Sequence, residues 1–214
     1  MATQSSNLTN FNTLARAGEY TSGSYTYRWI NRTNAQTSNN VYAYLSLSDS
    51  GFSPIGAAPT SLTSQTVNYF VVTGLSSTVP AGATINGITV KIERYNSNPI
   101  GDFTLTINDN AIYLTKDGST TVGNNKSTGA TWQTSDNNTT VDFGGASDLW
   151  GTTLTAAEVN ASTFGVMISP SLTFDNSENG SNVNIDQVTI VVDYTGGAVR
   201  RQGIFTTAAE LRTV

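Results

Sequence analysis

Apolar and polar residues alternate along most of this chain with a period of two. Within 85–95, Ile88, Val90 and Ile92 share one side and Thr89, Lys91 and Glu93 the other. That pattern predicts a half-buried strand with the polar set facing solvent. The same alternation recurs in Tyr25, Tyr27 and Trp29, in Val41, Ala43, Leu45 and Leu47, and in Val188, Ile190, Val192 and Tyr194. Residues 67–75 (VNYFVVTGL) are apolar on both sides, so that strand is expected in a covered, central place. Phe103, Leu105 and Ile107 are expected to pair with Ile112 and Leu114 across a tight turn at 108–110. Lys116-Asp117-Gly118 marks a further turn.

One helical signal interrupts this pattern. Thr155-Ala-Ala-Glu158 is a capping box, in which hydroxyl and carboxylate satisfy the orphan amides of a helix start. Phe164, Val166 and Ile168 resume the period of two so soon afterwards that the helix near 155–161 is a short turn. The glycine-rich stretch before it, with Gly144, Gly145 and Gly151, surrounds a single Trp150, which is expected to plug the core. Short strands separated by turn signals predict an all-β chain forming a single β-sandwich or jelly roll. Residues 1–24 are polar and weakly patterned and read as an N-terminal arm. Residues 25–195 form the sandwich, and 196–214 read as a hinge and a C-terminal docking tail.

Composition narrows the chemistry. The chain has 214 residues, no cysteine and no histidine, which excludes disulfides, thiolate sites and histidine-based catalysis. A net charge of −5 and a charged fraction of only 12% argue against nucleic acid as a partner, because phosphate binding needs clustered Lys and Arg. The N-terminal segment has no basic cluster followed by an apolar run, so no secretory signal is expected. No apolar run is long enough to predict a membrane span. Neither a cofactor nor enzymatic activity is expected. Glu93 is read as solvent-facing, Glu158 as a cap and Glu178 as part of a turn, a set without the apolar surroundings that two-carboxylate hydrolysis requires.

Four segments carry a resemblance: Val79-Pro-Ala-Gly-Ala-Thr-Ile-Asn-Gly-Ile88, Gly144-Gly-Ala-Ser-Asp-Leu-Trp-Gly151, Val159-Asn-Ala-Ser-Thr-Phe-Gly165 and the closing strand from Val188 to Tyr194. In this order they resemble the β-sandwich, jelly-roll-like virion structural proteins of tailed bacteriophages and prophages, across 27–195. The resemblance implies a capsid decoration, collar or fibre-associated subunit, made in the host bacterial cytoplasm and present in the virion. Its implied partners are other virion proteins of the capsid, neck or tail, and further copies of itself.

Candidate contact residues follow from the two ends. Leu8, Phe11 and Leu14 stud the polar N-terminal segment, and Ile204, Phe205, Leu211 and Val214 stud the tail, which carries a second capping box at Thr207 and Glu210. Apolar residues in such segments suit docking onto a neighbour. The alternative reading is a carbohydrate-binding β-sandwich for host-surface recognition, with Trp132 as the exposed ring that contacts a glycan. Asp175, Ser177, Asn179 and Asp186 echo a calcium loop, but Ser and Asp stand where the pattern wants stronger ligands and Asx-rich turns arise freely in this composition, so no metal site is expected.

Overall fold

The computed structural model describes residues 1–14, 21–22, 25–26, 29–46, 64–76, 78–97, 104–175 and 182–196. Strand β1 (Ala2–Leu14) is followed by the small hairpin β2 (Thr21–Ser22) and β3 (Tyr25–Thr26), then by β4 (Trp29–Ile30) and a 3-10 turn at Arg32–Ala35. Next come β5 (Ala43–Ser46), β6 (Ser64–Thr66), β7 (Tyr69–Leu75) and β8 (Thr84–Ser97). The chain continues through β9 (Thr104–Thr115), β10 (Thr121–Val122) and β11 (Thr140–Gly145). Helix α1 (Ala156–Val159), β12 (Gly165–Asp175) and β13 (Asn182–Thr195) complete the order. The result is an all-β, sandwich-like fold in which every strand pairing among the described residues is antiparallel.

Two sheets share the core. Sheet A runs β11–β8–β13, with β1 and β5 both on the far side of β13 and β4 beyond β5. Sheet B runs β10–β9–β12, with β6 and β7 beside β12 and β1 beyond β7. The inward positions of sheet A, among them Ile88, Val90, Ile92, Val188, Ile190 and Val192, pack with those of sheet B, among them Phe70, Val72, Ile112, Leu114, Val166 and Ile168. The β8 and β13 positions are those the alternation set on one side, and β7 is buried on both faces as its double-sided apolar pattern predicts. A smaller cluster of Tyr69, Val71, Ala111 and Met167 lies on the opposite face of sheet B.

The N-terminal segment corrects an expectation. Residues 2–14 are a strand of the body rather than an arm. Ala2 to Asn7 pair with β13 in sheet A, from Ala2 opposite Tyr194 to Asn7 opposite Thr189. Leu8 to Leu14 then pair with β7 in sheet B, from Leu8 opposite Leu75 to Leu14 opposite Tyr69. The strand changes sheets at Asn7, whose carbonyl also accepts from the Ser76 amide at 3.0 Å. Pairing of this kind uses backbone groups, so polar side chains such as Thr3, Ser5 and Thr9 are compatible with it.

The turn expected at 108–110 is corrected as well. β9 is continuous through these residues, and its register with β12 shifts so that Ser169 faces Ala111 while Pro170 faces Asp109. Asn110 is the extra residue of a β-bulge. Pro170 has no amide for the ladder, which makes this the natural place for the irregularity. The bulge inverts the phase of β9. Ile107 faces the core before it, Ile112 and Leu114 after it, and Ala111 turns to the opposite face.

Around the sandwich the local signals hold. Thr155 and Glu158 form the reciprocal capping box of α1. The Asp117 carboxylate accepts from the Ser119 and Thr120 amides at 2.8 and 2.7 Å, and Gly118 takes φ 75°. Trp150 is fully buried and donates its indole N–H to the Ile88 carbonyl at 2.9 Å. Gly144, with φ 81°, lies so close to this ring that an added Cβ would fall 2.5 Å from the indole nitrogen.

Candidate functional site

A second bulge builds the most unusual chemistry in the molecule. Along β13 and β8, Ile185 faces Arg94 and Gln187 faces Glu93, leaving Asp186 as the extra residue. The inward phase of β13 therefore passes from Val183 and Ile185 to Val188. Asp186 is placed beside Glu93 and away from the core. Loop 36–42 is fastened here: Asp186 Oδ2 accepts from the Asn39 and Asn40 amides at 3.1 and 3.0 Å. Asn40 reaches this position with φ 60°, a left-handed conformation that Asn tolerates well.

Loop 133–139 meets the same patch. The Tyr42 hydroxyl donates to Asp136 Oδ2 at 2.6 Å, and its ring stands edge-on to Tyr95 at 5.0 Å between centroids. Glu93 is 4% exposed and Asp186 1% exposed. This corrects the reading of Glu93 as solvent-facing. Burial pushes the Glu93 carboxyl above its ordinary range, a hydrogen bond with Ser38 opposes the shift, and the Asp186 charge adds to it. Asp186 is likewise raised by burial, against the backbone amides that stabilise its charge. Tyr42 and Tyr95 are both raised, first by burial. No group of three or more carboxylates among the described residues is arranged to hold a metal ion.

The inner side of sheet A carries a different polar group. Arg94 continues the inward phase of Ile88, Val90 and Ile92, and Asp109 continues that of Ile107. The two meet across the sandwich at 2.6 Å. The Trp132 indole N–H donates to the other Asp109 oxygen at 2.8 Å, and the Arg94 guanidinium lies 5.0 Å from the Trp132 ring centroid. Backbone bonds from Trp132 to Ile107 and from Asp109 to Ala130 pin the intervening loop. Trp132 is 2% exposed, so the ring expected to face a glycan is a wall of this ion pair.

The other contact candidates divide by position. Leu8 is fully buried in the core, Phe11 is half-buried with its ring 6.1 Å from Phe70, and Leu14 faces Tyr69 at the end of the β1–β7 ladder. Leu8 and Phe11 are thus engaged within their own chain. Ile204, Phe205, Leu211 and Val214 lie outside the described residues, as does most of the calcium-like loop. The pattern did contain a signal for the ion pair, since Arg94 and Asp109 are opposite charges on the inward phases of two strands. The carboxylate–tyrosine cluster had none, because its members come together through a bulge and two loops. No family model, curated protein or solved structure matches this chain.

Proposed function

We propose that this protein is a non-enzymatic structural subunit of a tailed-phage virion, a decoration, collar or fibre-associated protein that works by being bound in place. The observation supporting this reading is that the segments carrying the resemblance form one packed unit. Ile88 of the first segment faces Val192 of the closing strand. Its carbonyl accepts from Trp150 of the glycine-rich segment. Asn160 of the third segment clasps Val79 of the first by two hydrogen bonds, at 2.9 and 2.8 Å. Residues scattered over more than half of the sequence therefore act as a single motif.

With Leu8 and Phe11 committed to the body, attachment is assigned to the tail residues Ile204, Phe205, Leu211 and Val214. A stable contact needs about 1,000 Å² of buried surface. The glycan-binding alternative loses its stacking ring because Trp132 is buried. Quantitative mass spectrometry of particles purified from the host that encodes this chain tests the proposal. The protein should be present at a fixed stoichiometry to the capsid protein, and shortening the chain after Gly196 should remove it from particles. Its absence from intact particles would overturn the reading.

A further inference from the structure

The cluster behind loop 36–42 has an imbalance of charge. Three carboxylates, from Glu93, Asp186 and Asp136, act on one another there. Glu93 Oε1 and Asp186 Oδ1 are buried and have no hydrogen-bond donor among the described residues. No described basic side chain compensates them. Arg94, next in sequence to Glu93, points to the other side of the sheet and is held by Asp109. Lys91 is held by Asp142, and Arg32 reaches Asn12. The remaining described titratable groups on the same face are Tyr42 from the loop, Tyr95 from β8 and Tyr44 from β5, and β11 contributes Thr140 opposite Glu93. A buried carboxylate pair without a cation costs several kcal/mol if both members are charged, and a proton is the smallest group that removes that cost.

We propose that Glu93 is held as a neutral carboxylic acid in the folded protein, and that its ionisation releases loop 36–42, making this cluster a proton-operated latch. The two carboxyls differ in their donors. Asp186 takes the amides of Asn39 and Asn40 on one oxygen, with a further contribution from Val41, and these favour its charged form. Among the described residues, the donor to Glu93 is the Ser38 side chain. The proton therefore resides on Glu93, while the pair titrates as a coupled unit. When the pH rises, the proton leaves to solvent and a second negative charge appears beside Asp186 and Asp136. Those two residues hold loops 36–42 and 133–139, so repulsion acts directly on the loop anchors.

Carbon-13 NMR of the Glu93 side-chain carboxyl in the full-length wild-type protein reads the proton directly. Its titration midpoint should lie above the ordinary glutamate value of about 4.3. Hydrogen-exchange protection factors of the Asn39, Asn40 and Val41 amides should fall as the pH rises through that midpoint. In Glu93→Gln, a neutral isostere, the same protection factors should be independent of pH across that range. A Glu93 midpoint at or below the ordinary value would overturn the proposal. So would a Glu93→Gln protein that keeps the wild-type dependence. Should that variant not fold, the wild-type carboxyl titration decides the matter alone.

Discussion

Arg94 of one sheet and Asp109 of the other form an ion pair at 2.6 Å whose side chains are 3% and 1% exposed. Asp109 is satisfied on both oxygens, by Arg94 and by Trp132, while Arg94 Nε has no acceptor among the described residues. The pair sets Arg94 of β8 against Asp109 of β9 across the sandwich, and desolvation offsets much of the attraction between such buried charges.

Removing one partner leaves the other charged and buried. Asp109→Ala should cost about 3–5 kcal/mol in urea denaturation, whereas the double change Arg94→Met with Asp109→Leu should cost less than the single change. Trp132 fluorescence should change in Asp109→Ala, since its indole N–H loses its acceptor.

Leu8 tests the placement of β1. Leu8→Ala should destabilise by about 2–5 kcal/mol, the usual range for a buried leucine in a packed core. A residue of a detached arm would give no change in the denaturation midpoint.

Trp150 and Gly144 form one contact between the resemblance segments. Trp150→Phe keeps an aromatic ring but strands the buried Ile88 carbonyl, at a cost of about 1–3 kcal/mol. Gly144→Ala should also destabilise, by more than about 1 kcal/mol, since its φ is left-handed and its Cβ would meet Ile88 and Trp150. Thermal unfolding followed by circular dichroism measures both.

Stability should fall at both ends of the pH scale. Glu158 is held below its ordinary range by Lys116 and by the Thr155 amide, and Asp117 by the Ser119 and Thr120 amides. For such lowered groups the stabilisation is present above the ordinary carboxyl value and is lost as the pH falls through the folded-state value. Glu93 and Asp186 are raised, so their stabilisation is complete below the ordinary value and is lost as the pH rises through the folded-state value. The melting temperature should therefore peak in mild acid. Glu93→Gln should flatten the alkaline side, and Glu158→Gln should weaken the acid side.

Strands with one wet face declared themselves in the sequence. Ile88, Val90 and Ile92, and the matching set in β13, could be read without a structure because a period of two has one meaning in a sheet. The same held for the Thr155–Glu158 cap and the Asp117 turn, whose defining hydrogen bonds span three residues or fewer. The misreadings share a different cause. Asn108-Asp109-Asn110 has the composition of a turn, but a proline on the neighbouring strand made it a bulge. The phase of Glu93 was read correctly as away from the core, but its burial depends on a loop some fifty positions earlier. β1 pairs through its backbone, which leaves little trace in the order of its side chains.

The pairing of Ala2 with Tyr194 also bears on the order of assembly. β1 is made before every other described strand, yet half of its hydrogen-bonding partners belong to the last strand described. Sheet A cannot close around it until β13 has been synthesised. Contacts of such long sequence separation carry a large loop-closure entropy and slow the search for the native state. Until then the unpaired edges of β7 and β8 are open to neighbouring chains. High local concentrations of half-made subunits would then favour aggregation over assembly.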